Sequence, residues 1–140
     1  MTVIKMTMNP TKQTLAALAA AFSFAMTASA ELPPASTKTG VTYATDIKAV
    51  FDASCVKCHS GDRPKARLRM DILAGVLKGT KEGKIVTAGD SASSFIVKAI
   101  AHATPDHDSW MPPLDNKAGI KPLTPDQIGL IRAWIDQGAK

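Results

Sequence analysis

The sequence predicts a small all-α domain. Apolar residues recur at helical spacing in several short segments, and the last segment has clear start and stop residues. No segment alternates polar and apolar residues over the length of a strand, and no internal repeat is present. We therefore expect roughly four short helices in one domain.

The first predicted helix starts at about Thr45. Ile47, Val50 and Phe51 lie at positions i, i+3 and i+4 and form one apolar stripe. The helix leads directly into Cys-Val-Lys-Cys-His at residues 55–59, and a turn-rich stretch follows. The motif is therefore expected at the end of a helix packed on the core.

Two further helices are predicted in the middle of the chain. One covers Asp71 to Lys78, with Asp71 as its N-cap, and the other covers Ser91 to Ala101. Their expected inward residues are Leu73, Val76, Leu77, Phe95, Ile96, Ala99 and Ile100. A long irregular stretch follows at residues 104–123, and a loop of that length usually has a function.

The last predicted helix has the clearest boundaries. Thr124 is placed as N-cap, Pro125 as the first helical residue and Gln127 as the third, while Gly138 ends the helix. Its expected inward residues are Ile128, Ile131 and Ile135, with Leu130 and Trp134 beside them.

Residues 1–30 have the pattern of a cleavable signal peptide. The segment starts with Lys5 and Lys12 and no acidic residue, continues with an apolar run at residues 15–26, and ends in small residues. The apolar run is shorter than the roughly 20 residues that span a bilayer. We therefore expect cleavage after Ala30 and export to the periplasm.

The remaining chain divides into a flexible leader at residues 31–42 and a domain at residues 43–140. Loss of the signal peptide lowers the formal net charge from +5 to +3. No arginine-rich run with interleaved aromatic residues is present, so nucleic-acid binding is not expected. No segment after residue 30 is long and apolar enough to cross a membrane.

The motif Cys55-x-x-Cys58-His59 is typical of covalent haem attachment. Each cysteine sulfur adds across one haem vinyl group, and the two-residue gap matches the separation of the vinyls. The following His59 is then held under the iron as first axial ligand. One haem c is the cofactor that this spacing predicts.

Three alternatives remain for the two cysteines. A disulfide would close a very short loop and add little stability. A thiol–disulfide oxidoreductase would need strands around the motif. A zinc site would need two more ligands, and the adjacent Cys58 and His59 are awkwardly placed on one tetrahedral ion. Haem attachment has the strongest support.

Met111 is the favoured second axial ligand. It precedes Pro112 and Pro113 in the long irregular stretch, and the two prolines limit the directions that its thioether can take. The alternatives are His102, His107 and Met70, which belong to ligand types known for haem iron. His102 and His107 otherwise read as exposed loop residues, and Met70 as a packing residue.

Five motifs follow one another along the chain. They are Cys-Val-Lys-Cys-His at 55–59, Leu-Arg-Met-Asp at 68–71, Gly-Asp-Ser-Ala-Ser-Ser-Phe at 89–95, Met-Pro-Pro at 111–113 and Trp-Ile-Asp-Gln-Gly-Ala at 134–139. With these motifs the chain resembles the planctomycete-type cytochrome c domains, within the monohaem class I c-type cytochromes. The resemblance implies about four helices wrapped around one covalent haem, with Met111 as distal ligand. It also implies that the terminal helices pack across each other through Phe51 and Trp134. Met70 stands where the family usually carries leucine.

A haem with both His59 and Met111 bound has no free position for a substrate, which predicts single-electron transfer and no catalysis. The expected partners are redox proteins and, during maturation, the haem attachment machinery. Lys57, Arg63, Lys65, Arg67 and Lys117 are candidates to surround the exposed haem edge and guide an acidic partner. Arg67 or Arg69 is alternatively a propionate partner.

Two other functions are alternatives to a freely diffusing electron carrier. The first is a haem-bearing subunit of a periplasmic dehydrogenase, which accepts electrons from a catalytic chain. The second is an enzyme or gas sensor with an open iron position, which requires that Met111 does not bind the iron.

Overall fold

The computed structural model describes residues 31–140, and the predicted signal peptide at residues 1–30 lies outside them. The chain forms four α-helices: α1 (Lys48–Ser54), α2 (Leu73–Lys78), α3 (Phe95–Ile100) and α4 (Pro125–Asp136). A π-helical turn, Tyr43–Ile47, precedes α1, and two 3-10 turns lie at Lys65–Arg67 and His107–Ser109. Residues 31–140 contain no strand, only an isolated bridge between Thr80 and Gly83. The prediction of an all-α domain is confirmed.

The helical segment before the motif starts earlier than predicted. The hydroxyl of Thr42 accepts a hydrogen bond from the Thr45 backbone N–H at 3.2 Å, which caps the π-helical turn. Ile47 and Phe51 are fully buried, whereas Val50 is half-buried. The apolar stripe therefore packs on the core as its spacing predicts.

Helix α4 starts as the sequence predicts. The Thr124 hydroxyl accepts from the Gln127 backbone N–H, and the Gln127 side chain accepts from the Thr124 N–H, which completes a capping box. At the other end Gln137 is the C-cap, and Gly138 follows it with a φ of 101°. Gly138 thus supplies the left-handed residue just after the helix.

The two ends of the domain meet around three aromatic rings. Phe51 and Trp134 contact each other edge to face, with 6.3 Å between ring centroids, and Tyr43 lies 6.2 Å from each. The Tyr43 N–H also donates to the Lys140 carbonyl at 2.7 Å. The predicted contact between the terminal helices through Phe51 and Trp134 is confirmed.

Helices α2 and α3 are shorter than predicted. Asp71 does not cap α2, because its carboxylate accepts from the Arg69 guanidinium, and Ile72 is the N-cap. Residues 91–94 form a turn in place of the first turn of α3. The cause is long-range, since the Ser91 N–H and hydroxyl both donate to the Asp136 carboxylate in α4.

The segment 31–42 has no regular secondary structure but makes defined contacts with α4. The Ser36 N–H donates to the Gly129 carbonyl at 2.9 Å, and the Gln137 amide donates to the Lys38 carbonyl at 2.8 Å. A Cβ at Gly129 would lie 2.6 Å from the Pro34 carbonyl oxygen. Flexibility of this segment stays a prediction, and the sequence did not indicate these contacts. None of the helices within residues 31–140 has the length and apolar character that a membrane crossing requires.

Candidate functional site

The Cys-x-x-Cys-His motif forms a tight turn at the end of α1. The Cys55 N–H donates to the Phe51 carbonyl at 2.7 Å, and the Cys58 and His59 N–H groups both donate to the Cys55 carbonyl, at 3.1 and 3.0 Å. Phe51 is fully buried, so it anchors the turn to the core. The fold therefore fixes the backbone of the motif, and the side chains of Cys55, Cys58 and His59 remain available to bind a ligand.

The His59 ring is oriented by the chain that follows it. Its Nδ1 lies 3.1 Å from the Lys65 carbonyl oxygen, so Nδ1 donates and Nε2 is left as the acceptor. The His59 carbonyl also accepts from the Met70 N–H at 2.8 Å. Burial lowers the pKa of His59, which favours the neutral imidazole. A neutral ring with Nδ1 held by a carbonyl is the form in which histidine binds metals.

The two cysteines are free and half-buried. Burial raises the pKa of the Cys55 thiol to about 12. A redox-active C-x-x-C pair needs a lowered thiol pKa, so this environment disfavours the oxidoreductase alternative. The absence of strands in residues 31–140 disfavours it as well.

A cavity of about 580 Å³ brings the predicted site residues together. Cys55, Cys58, His59 and Met111 all line it, and most of its wall is apolar. The apolar residues around them include Leu68, Met70, Ile85, Phe95, Ile96, Ile100, Pro112, Ile120 and Leu123. Two separate sequence segments contribute most to the site: the His59 wall, residues 55–70, and the Met111 wall, residues 102–116.

Backbone and amide hydrogen bonds hold Met111 in the cavity wall. The Met111 N–H donates to the Ala99 carbonyl of α3 at 3.0 Å. The Asn116 side chain donates to the Pro113 and Ile120 carbonyls, at 2.6 and 2.8 Å, and accepts from the Ile120 N–H at 2.9 Å. These bonds tie the irregular stretch to α3 and close it on itself.

His102 and His107 do not line the cavity. They flank the Trp110 indole, with ring centroids 4.8 Å away for His102 and 4.0 Å away for His107. The indole N–H donates to the Thr104 carbonyl at 3.2 Å. The buried Nε2 of His102 has no hydrogen-bond partner among the described residues. The two histidines therefore support the Met111 wall from behind.

Several cavity residues were missed by sequence reasoning. Phe95 was expected in the core, but it is 47% exposed and lines the cavity. Its helical spacing is the same as that of a core residue, so periodicity alone does not separate the two environments. The loop segment that includes Thr80, Glu82 and Lys84 also lines the cavity, and no sequence signal marks it. Asn116, followed by Gly119, is a turn signal that indicates a closed loop after Pro113.

The predicted cations are distributed over two depressions. Lys65 lines the cavity, whereas Arg63 and Arg67 line a separate open groove of about 870 Å³. This basic groove is defined by Arg63, Arg67, Arg69 and Lys78, and its residues also include Asp62, Ile72 and Gly75. Lys57 and Lys117 line neither depression.

Residues 55–115 match the family model described as Planctomycete cytochrome C, which confirms the predicted resemblance to planctomycete-type cytochrome c domains. This similarity favours a haem-binding, electron-transferring, exported protein. Searches of the curated proteins and of the solved structures gave no match.

The residues present fit haem c. Cys55, Cys58 and His59 line one cavity, whose volume lies within the roughly 300–1,000 Å³ usual for cofactor sites. The mostly apolar wall suits a porphyrin plane. Cys55 and Cys58 would hold the haem covalently, and His59 would bind its iron.

Proposed function

We propose that the protein carries single electrons between redox partner proteins through one haem, bound covalently by Cys55 and Cys58 and axially by His59 and Met111. The observation that carries this proposal is the shared cavity, which all four side chains line from two separate segments. The proposed location is the periplasm, supported by the signal-peptide pattern of residues 1–30.

Met111 is better placed than the other candidates for the second axial position. Met70 also lines the cavity, but its N–H is bonded to the His59 carbonyl, so it belongs to the same wall as the first ligand. His102 and His107 do not line the cavity. Met111 belongs to a separate segment of the cavity wall, and its N–H is bonded to the Ala99 carbonyl of α3. This separation from the His59 wall supports Met111 as the second axial ligand.

Bound haem would supply one-electron chemistry through the ferrous and ferric states of its iron. The soft thioether of Met111 would favour the ferrous state, and the apolar wall would disfavour the additional charge of the ferric state. Both effects raise the reduction potential. With both axial positions filled by protein, no position is left for substrate, which supports a carrier.

The exposed apolar surface supports a carrier over a permanent enzyme subunit. A permanent subunit is expected to expose a large apolar patch, whereas a transient partner docks through a small polar surface. Among residues 31–140 the exposed large apolar side chains are Ile72, Leu77, Phe95 and Leu114. Phe95 lines the cavity and Ile72 lines the basic groove, so these side chains are spread over different surfaces.

Absorption spectra of the purified protein test the proposal. We expect the α band of haem c in the reduced protein and a methionine–iron charge-transfer band in the oxidised protein. Met111→Leu should abolish the charge-transfer band and lower the potential, whereas Met70→Leu, the matched control on the other wall, should leave both unchanged. A wild-type protein without the α band would refute haem attachment. Persistence of the band in Met111→Leu would refute the axial assignment.

A further inference from the structure

The segment between the two depressions forms a wall one residue thick. Ala66, Leu68 and Met70 line the cavity, whereas Arg67 and Arg69 line the basic groove. From Ala66 to Met70, residues that line the cavity thus alternate with residues that line the groove. A molecule seated in the groove would lie directly behind the segment that also orients the His59 ring through the Lys65 carbonyl.

The groove has more positive charge than its own acids neutralise. Arg69 is paired with Asp71. Arg63, Arg67 and Lys78 have no carboxylate within ion-pair distance among the described residues. Cations that cluster around one depression without internal partners favour an anionic ligand.

The central arginine of the groove, Arg67, lies in a turn with a strained backbone. Ala66 and Arg67 have φ values of 54° and 56°, a left-handed conformation that non-glycine residues adopt at a cost of about 1–2 kcal/mol each. The Arg67 N–H donates to the Pro64 carbonyl at 3.0 Å, and the Leu68 N–H donates to the Lys65 carbonyl at 3.1 Å. Arg67 therefore belongs to a tight hydrogen-bonded turn, which fixes the position of its backbone beside the groove.

The two walls of the cavity carry opposite charge. Residues 55–70 contain five Lys or Arg and one Asp, whereas residues 102–116 contain three Asp and no Lys or Arg. An acidic partner would be attracted to the His59 wall and repelled by the Met111 wall. The charge distribution therefore selects one orientation of docking.

We propose that the basic groove is the docking site for a redox partner protein that presents a cluster of Asp and Glu side chains. Arginine matches carboxylates with two parallel N–H donors, and two unpaired arginines at one groove favour a carboxylate cluster over a single ion. This inference rests on the proposed electron-carrier function and specifies the class of its partner.

Binding of a short polyglutamate peptide to the haem-loaded, isotope-labelled protein tests the proposal by amide chemical shifts at low salt. We expect the largest shifts at residues 61–78. The triple variant Arg63→Gln/Arg67→Gln/Lys78→Gln should weaken binding by roughly tenfold, because each exposed charge contributes modestly. The matched control Lys98→Gln/Lys121→Gln/Lys140→Gln removes the same charge from exposed positions that line neither depression, and its affinity should change by less than about twofold.

Equal weakening in both triple variants would overturn the proposal, because net charge alone would then explain binding. Shifts centred outside residues 61–78 would also overturn it. Anionic phospholipid vesicles that bind at the groove as tightly as the peptide would exclude a protein-specific site. The binding measurement does not use electron transfer, so failure of the proposed function would be recognised separately, by the absence of the haem spectrum.

Discussion

The His59 wall and the Met111 wall enclose one cavity but are held in different ways. The His59 wall follows a helix and is fixed by backbone hydrogen bonds, with Leu68 and Met70 buried beneath it. The Met111 wall is irregular, and besides its backbone hydrogen bonds it is held by side chains, namely the Trp110 indole between two histidines and the Asn116 amide. The proposed attachment residues are therefore held by a short backbone turn after α1, whereas the proposed second ligand is held in an irregular stretch by side-chain contacts and by one backbone bond to α3.

The largest expected difference between the two walls is in the amount of covalent haem, and it is tested by replacing the two cysteines. Cys55→Ala/Cys58→Ala deletes both thioether bonds, so no haem should remain bound to the polypeptide after acid–acetone extraction. Met111→Leu leaves both thiols and should retain all of its covalent haem. Staining for haem on a denaturing gel and a pyridine haemochrome spectrum measure the difference.

Covalent haem in the double cysteine variant would contradict the assignment of the His59 wall. Loss of covalent haem in Met111→Leu would contradict the division between the two walls, since attachment would then depend on both.

Substitutions at Gly75 and Gly119 should lower the free energy of unfolding by different amounts. A Cβ at Gly75 would lie 2.6 Å from the Cβ and carbonyl oxygen of Arg69, so Gly75→Ala forces the His59 wall to move and should lower the free energy of unfolding by about 1–3 kcal/mol. A Cβ at Gly119 meets no atom within 4 Å, but Gly119 has a φ of 68°. Gly119→Ala should therefore cost only about 1 kcal/mol, from backbone strain.

Denaturant unfolding of the haem-loaded variants measures both values. Gly119→Asn is the control, because asparagine tolerates the left-handed conformation better than alanine does. A Gly75→Ala variant as stable as wild type would show that α2 and the His59 wall are not in close contact.

The sequence was most informative where the relevant contacts are local. The helix that leads into the motif and the capping box of α4 each depend on residues within a few positions of one another, and both were predicted, whereas the turn at residues 55–59 itself was not. The buried faces of α1 and α4, which carry Phe51 and Trp134, also follow from helical spacing. The contact between these two residues was implied by the family resemblance.

The sequence failed where partners are far apart along the chain. The start of α3 depends on hydrogen bonds between Ser91 and Asp136, and the contacts of segment 31–42 depend on the close approach of Pro34 to Gly129. Phe95 lies on the cavity because of tertiary packing that its periodicity does not encode. Such contacts depend on the tertiary fold and leave no pattern in the local sequence.

Trp110→Ala is expected to weaken the Met111 wall alone. Trp110→Ala removes the rings' contacts with His102 and His107 and the hydrogen bond to Thr104, and aromatic contacts of this kind contribute about 0.5–1.5 kcal/mol each. We expect the methionine–iron charge-transfer band to disappear at a lower temperature or denaturant concentration than in wild type. Covalent haem should be unchanged.

Trp110→Phe is the matched control, because it keeps an aromatic ring at this position while it removes the indole N–H and part of the ring area. If Trp110→Ala lost the band and the global fold at the same denaturant concentration, the Met111 wall would not be a separate unit of stability.

The smallest expected effect is a pH dependence in the His59 wall. Hydrogen bonds from the Arg69 guanidinium hold the pKa of Asp71 below its usual value of 3.8. A lowered carboxylate pKa means that the pair stabilises the folded state above about pH 3.8, and that this contribution is lost as the pH falls through the lower folded-state pKa. Asp71→Asn should therefore lose less stability than wild type when the pH is lowered into this range.

Asp115→Asn is the control. It removes a carboxylate of the Met111 wall that has no ion pair among the described residues, and it should keep the wild-type dependence of stability on pH. Unfolding midpoints at a series of pH values measure the slopes, and equal slopes for wild type and Asp71→Asn would show that the exposed Arg69–Asp71 pair is screened by solvent and does not hold the wall.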